Sequence, residues 1–447
     1  MLKRHSILAA AVFTALTAAA AGSIEAAQVQ AVRETPPSLD YDDGERLANA
    51  DDPAIWVHPD ESRRSKSLVV GTLKEGGIDV YNLQGLRLQH IASLPASNPE
   101  HPRQRFNNVD IVYGFKLGSQ TVDLAVASDR GFDRLAIYKI NRSGSDAAVP
   151  LTEVTKSGLP FVFAANQGEV DAELTVMGIG TAKLANGQTI AFVTRNDRAE
   201  IAKFRLYDAG GGKVGYAPLL RFNLPAQFTL PNGQTWTPCQ DEDGLTPMAE
   251  GTVIDRERGY VYIGQEAVGL WRTTIDNPAA HLKLIEKAST FGTPYTRTFD
   301  EDEEEYVCEY QTDQDPGFGG RLERDVEGVA LYEADDGEGY VIVSSQGSNE
   351  YLVFDRDDND YAGKFQIVDG MVDSTQETDG IGVSNADFGG AFDDGLFVAM
   401  DGGNTPDVLD DAGEPVENTN FKFVRWEDIA DQLDLIVDDE HDIRDLD

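Results

Sequence analysis

Short apolar runs alternate with turn signals from Asp51 to Trp426, and helical periodicity stays weak until residues 426–436. Three kinds of line recur in a fixed order, six times each. The first is a strand that tends to open on an acid or amide. It reads Asp51-Asp52-Pro53-Ala54-Ile55-Trp56, Asn107-Asn108-Val109-Asp110-Ile111-Val112, Glu250-Gly251-Thr252-Val253, Asp325-Val326-Glu327-Gly328-Val329 and Asp379-Gly380-Ile381-Gly382-Val383. The third unit is the least regular, and its strand is read over residues 174–179. The second line is a β-rich run with a polar end, as in Leu68-Val69-Val70-Gly71-Thr72-Leu73-Lys74 or Tyr260-Val261-Tyr262-Ile263-Gly264-Gln265-Glu266. The third, a few residues on, is an aromatic-bearing strand such as Ile78-Asp79-Val80-Tyr81 or Tyr351-Leu352-Val353-Phe354, which is hairpin spacing.

Six units of several antiparallel strands predict an all-β fold, a six-bladed β-propeller with mostly four- to five-stranded blades. A β-sandwich would explain short strands but not six repeats of one three-line order. The prediction is a single domain over residues 28–447, with its core at about 45–436.

This topology places the chemistry. Inner strands of a propeller run parallel around the axis, so their starts share one mouth. The antiparallel second strands end at that same mouth. Inner-strand starts deliver Asp51, Asp52, Asn108, Asp110, Glu250, Asp325, Glu327 and Asp379 there. Second-strand ends deliver Lys74, Arg130, Arg195, Glu266, Gln346 and Asp401. Each charge alone is an ordinary solvated loop end. Together, so many carboxylates need counter-cations to stay ionised. An all-oxygen ligand set selects hard cations, and calcium accepts six to eight flexible oxygens where magnesium does not. Six histidines, with no pair at short spacing, disfavour zinc and copper. Carboxylates, calcium, lysine and arginine together suit a phosphate-bearing substrate attacked by metal-activated water. No G-x-S-x-G, P-loop or H-E-x-x-H motif offers another chemistry.

Net charge of −41 repels nucleic acid and anionic lipid. Lys3 and Arg4, an apolar run over residues 7–21 and a small-residue stretch to Ala27 read as a secretory signal peptide, and no later segment could span a bilayer. The chain is therefore expected in the periplasm or medium, as a monomer. Its two cysteines, Cys239 and Cys308, are expected to bond there and to staple two long polar insertions outside the strands. The acidic run 355–360 lacks the glycine of an EF-hand loop and reads as a turn.

Seven motifs in order closely resemble the β-propeller phytase family over about residues 51–432. They are Asp51-Asp52-Pro53-Ala54-Ile55-Trp56; Asn107-Asn108-Val109-Asp110-Ile111; Glu250-Gly251 with Tyr262-Ile263-Gly264-Gln265-Glu266; Asp325-Val326-Glu327-Gly328; Ser344-Ser345-Gln346-Gly347; Thr378-Asp379-Gly380-Ile381; and Asn420-Phe421-Lys422 with Trp426. The resemblance implies calcium-dependent hydrolysis of phytate, as its calcium complex, at adjacent cleavage and affinity phosphate sites. It implies Asp51, Glu250, Glu266, Asp325 and Glu327 as calcium ligands of the mouth, and Lys74 and Arg130 as phosphate-binding positions. Gln346 matches the affinity side, and Asp52, Asp379, Gly380 and Asn404 match a structural calcium region. Asp110 and Asp401 complete the metal-ligand expectation from their places at the strand ends. Three departures stand out: Glu75 follows Lys74 in place of a second lysine, Met177-Gly178 aligns with a tyrosine-glycine pair, and Arg195-Asn196 stands where a lysine follows the third second-strand. Arg195 would have to serve as that phosphate ligand. A lactonase- or phosphotriesterase-type propeller, or a propeller that only binds, are the competing readings.

Overall fold

The computed structural model describes residues 25–40, 49–240, 244–300, 305–410, 412–438 and 440–444. The expected signal peptide therefore lies outside the described residues up to position 24, and Ala27 already opens a strand.

Six antiparallel sheets follow one another along the chain. Their inner strands are Pro53–Trp56, Phe106–Leu117, Val176–Lys183, Ala249–Asp255, Val326–Glu333 and Ile381–Ser384. Each lies beside the inner strand of the next blade, and the last returns to the first, which closes a ring. The third inner strand begins and ends later than the expected residues 174–179. Blades one to four have four strands each.

The ring is closed by the N-terminal segment. Arg33–Glu34 and Ser38–Asp40 both pair with the blade-six strand Pro415–Arg425. Ala27–Gln30 adds in parallel to Tyr361–Val368 as the fifth strand of blade five. The sheets thus reach before the expected core limit of residue 45, because blades five and six are completed from the start of the chain.

Second strands such as Leu68–Thr72 and Gly339–Ser345 are buried along their whole length. They sit between neighbouring blades, which is why they read as unbroken apolar runs. At the closing seam the Phe421 ring of blade six meets Tyr81 of blade one at 6.0 Å between centroids. Gly71 makes room for it, since a Cβ there would stand 2.3 Å from that ring. The helix Trp426–Leu433 buries Trp426 and Ile429, and Trp426 stacks on Tyr332 at 4.0 Å.

Among the described residues two small hairpins stand outside the blades, Phe228–Thr229 with Thr235–Trp236 and Tyr295–Asp300 with Glu305–Tyr310. Cys239 and Cys308 are bonded, with their Cα atoms 6.1 Å apart. Cys308 lies within a strand, opposite Arg297, rather than in a loop as expected, because the acidic insertion folds into a hairpin of its own. The run 355–360 is a turn, closed by Asp355 N–H donating to the Asp360 carbonyl at 2.8 Å.

Candidate functional site

The mouth is built by a repeated irregularity. In blades two to five the inner strand slips register between Phe106 and Val109, Val176 and Ile179, Ala249 and Thr252, and Val326 and Val329. Two inner-strand residues oppose one each time, which is a β-bulge, a device that re-aims side chains. The bulged pairs are Asn107-Asn108, Met177-Gly178, Glu250-Gly251 and Glu327-Gly328. Their glycines allow successive inner strands to touch backbone to backbone. A Cβ on Gly251 would stand 2.1 Å from the Glu327 carbonyl oxygen, and one on Gly380 would stand 2.7 Å from that of Asp51. The Gly328 and Gly380 amides also donate to the Asp379 and Asp51 carbonyls, at 2.7 and 3.1 Å.

This close approach gathers acids. Carboxylate oxygens of Glu250, Glu266 and Glu327 all lie within 4.8 Å of one another. Glu250 and Glu327 are buried, and Glu266 follows the second strand Tyr260–Gln265. Burial, and then repulsion from Glu266, Glu250, Asp379 and Asp325, pushes Glu327 well above the ordinary carboxylate range. Burial, then Glu250, Asp325, Asp197 and Asp379, does the same to Glu266. Asp51 is raised by its burial, against the pull of Lys74. One oxygen of each of Asp51, Glu266 and Glu327 is buried with no hydrogen-bond partner. Orphaned carboxylate oxygens that converge in this way fit a hard cation with oxygen ligands.

The cations lie at the rim of this cluster. Lys74 takes a left-handed φ of 42° and sets its Nζ 3.0 Å from Asp379 Oδ2 and 3.9 Å from Asp51 Oδ1. Burial works against its charge, but Asp379 and Asp51 hold the ammonium well above its usual range. Gln346 donates to the other Asp379 oxygen at 2.6 Å. Arg130 opens a short turn and donates to Glu173 at 2.6 Å, while its Nε is buried without a partner. Asp325, at a left-handed φ of 62°, is half exposed at the cluster's edge. Asp52 accepts from the Val109 amide at 2.9 Å and ties blade one to blade two under the mouth.

Asp110, Arg195 and Asp401, expected at the mouth, are not brought to this cluster, and Asn404, expected in a structural calcium region, lies beside Asp401. Asp110 lies a step farther down the central channel, where Thr181 Oγ1 donates to it at 2.8 Å. Burial pushes its carboxyl up to about 6, with the Thr181 hydrogen bonds opposing. Arg195 is held by Glu169 and Glu200, both at 2.9 Å, and by the Leu174 carbonyl, so its donors are taken. Asp401 and Asn404 surround a cation that the chain itself provides. The Lys422 ammonium lies 3.2 Å from Asp401 Oδ2, 2.8 Å from Asn404 Oδ1 and 2.7 Å from Glu34, and also meets Asp373. With all of these groups packed around a buried ammonium, a metal there would have to displace it.

Two residues were missed from sequence. Asn107 donates to Glu250 Oε1 at 3.1 Å from the first position of its bulge. Arg105 pairs with Glu75 at 2.6 Å, so the carboxylate that follows Lys74 is neutralised locally. The doubled Asn107-Asn108 was the available signal for the first; Arg105 carried none.

Fold and mouth together define a β-propeller whose axial opening gathers buried carboxylates fit for oxygen-bound cations. The Phytase family profile matches residues 3–230 and 302–447. The unmatched stretch between them includes Glu250, Glu266 and the first strand of the larger hairpin. The chain is 30% identical over 419 residues to a 3-phytase of Bacillus subtilis (strain 168), covering 92% of this chain and 87% of that protein. Among solved structures, the β-propeller domain of Cps50 (Swd1) from Myceliophteria thermophila is 10% identical, covers 83% of each chain and superposes with a TM-score of 0.37. The chain belongs to the phytase family, and the expectation of an enzyme that hydrolyses phosphate monoesters stands. No helix of the described residues is long and apolar enough to cross a membrane.

Proposed function

We propose that the chain is a calcium-dependent phytase that removes phosphate from phytate, bound as its calcium complex, at adjacent cleavage and affinity sites. One observation carries this reading: Glu250, Glu266 and Glu327 converge within 4.8 Å, and buried oxygens of Glu266, Glu327 and Asp51 lack partners. Asp51, Glu250, Glu266, Asp325 and Glu327 would hold the calcium ions of the mouth. Calcium there supplies counter-charge for phosphate oxygens and Lewis acidity at phosphorus.

The chain's own groups do the rest. Lys74 exchanges Asp379 for a phosphate oxygen, and Arg130 offers its guanidinium as a fork. Gln346 bonds the other Asp379 oxygen from the one Lys74 holds and would face a neighbouring phosphate. Asn107 orients Glu250. Asp52, Asp379 and Gly380 belong to the structural part of the mouth, between blades one and six. Export through residues 1–27 and a monomeric state complete the reading.

The test is phosphate release from phytate by the mature chain, first stripped with EDTA and then titrated with calcium. Release that appears with calcium and disappears with EDTA is expected. No release at any calcium concentration would end the phytase reading, and release indifferent to EDTA would end its calcium half.

A further inference from the structure

We propose that Arg324 binds a substrate phosphate beside the one being cleaved, and that the hairpin outside the blades holds it in place. The inference rests on the phytase reading and adds to it a residue that decides specificity.

A cavity of about 350 Å³ opens beside the acid cluster. Its lining includes Glu266 and Asp325 of the mouth, Tyr306 and Cys308 of the hairpin, and Arg324. The Arg324 backbone is fixed, since its carbonyl accepts from the Gly347 amide at 3.2 Å. Its guanidinium lies 5.1 Å from the centre of the Tyr310 ring, in the second strand of the hairpin. The hairpin is itself anchored. Cys308 is bonded to Cys239, and Arg297 Nε donates to the Gln240 carbonyl at 2.7 Å.

Arg324 has donors to spare. Among the described residues its carboxylate neighbour is Asp325 at 3.8 Å, with both side chains partly exposed, an arrangement that is worth little. Its Nε is buried without a partner. On the proposed reading Asp325 turns toward calcium, which frees the guanidinium further. A planar fork with unspent donors, beside a cavity next to the reaction centre, matches a phosphate group in charge and geometry. A substrate with phosphates on neighbouring ring carbons can reach both places at once. Arg324 is then a substrate-binding residue, and Tyr310 a positioning residue that acts through it.

The experiment compares phytate with p-nitrophenyl phosphate, which has no second phosphate, for wild type, Arg324→Gln, Arg324→Lys, Tyr310→Leu and Tyr310→Phe at saturating calcium. In Arg324→Gln the ratio of kcat/KM for phytate over that for the monoester falls about tenfold, mainly through KM. Arg324→Lys recovers part of the ratio. Tyr310→Leu lowers it in the same direction, Tyr310→Phe does not, and Tyr310→Leu adds nothing once Arg324 is Gln. A ratio that stays within twofold in Arg324→Gln, or equal losses on both substrates, overturns the proposal. Should Arg324→Gln fail to melt cooperatively, the ratios of Arg324→Lys and Tyr310→Leu decide in its place. A wild type that releases no phosphate from phytate overturns the phytase reading and this inference with it, whereas an active wild type with an unchanged Arg324→Gln ratio overturns this inference alone.

Discussion

Glu327→Gln should change stability in opposite directions with and without calcium. Glu327 is buried, one of its oxygens has no partner, and its carboxylate lies within 4.8 Å of those of Glu250 and Glu266. Two unit charges at that separation repel by about 3–4 kcal/mol at an effective dielectric near 20. Proton uptake relieves part of this, since burial and the neighbouring acids already raise Glu327, so about 1–3 kcal/mol remains to be gained near pH 8. The glutamine amide has the same shape and donates where the acids only accept. For a domain of this size that gain is a Tm increase of about 1–4 °C in EDTA. With calcium the sign reverses, because one ligand of the cation is lost. At calcium one hundred times its Kd, binding stabilises by about 2.7 kcal/mol, and most of that increment should vanish in the variant. Differential scanning calorimetry at pH 8, with EDTA and then with calcium, reads both effects. A variant that melts below wild type in EDTA, or keeps the full calcium increment, would refute the view that these acids repel one another until a cation joins them.

Three further outcomes follow from the same geometry. Gly251→Ala puts a Cβ 2.1 Å from the Glu327 carbonyl, so blades four and five must part; stability should fall by about 3 kcal/mol and calcium affinity with it, as read by melting and calcium titration. Lys422→Met leaves Glu34, Asp373 and Asp401 around a missing ammonium and should cost about 3–5 kcal/mol, part of which added calcium restores; a loss that calcium does not touch would show that the pocket cannot accept a metal. The third outcome concerns pH. Asp51, Glu266 and Glu327 have folded pKa values raised above their unfolded ones, so the calcium-free protein binds more protons when folded and loses stability as pH rises from the ordinary carboxylate range upward. Calcium competes with those protons, so its increment in Tm should be larger at pH 8 than at pH 5; equal increments would count against these residues as its ligands.

Much of this was legible in the sequence because it is repeated. A three-line order that recurs around a ring announces the blades, and polar residues at corresponding line ends announce the shared mouth. The acid-glycine pairs Glu250-Gly251 and Glu327-Gly328 were visible too. Strict alternation says that residues two apart share a face, and a bulge breaks that count. Asn108 and Asp110 therefore looked equivalent, whereas Asp110 lies deeper and is held by Thr181. Asp401 is expected as a metal ligand from its place at a strand end, and Asn404 from the family resemblance. What fills their pocket is Lys422, on the strand paired with the one that carries Asp401. Likewise Arg195 ends its strand where a phosphate ligand is expected, but Glu169 and Glu200 come from elsewhere in the chain to claim it. These differences share a cause. The sequence shows which charges reach a place, and only the fold shows which of them arrive already paired. At this mouth Asp51, Glu266 and Glu327 of blades one, four and five arrive with an oxygen unspent, while both carboxylate oxygens of Asp110 in blade two and of Asp379 beside blade six are already hydrogen-bonded. That difference, more than the total of negative charge, locates where an added cation has work left to do.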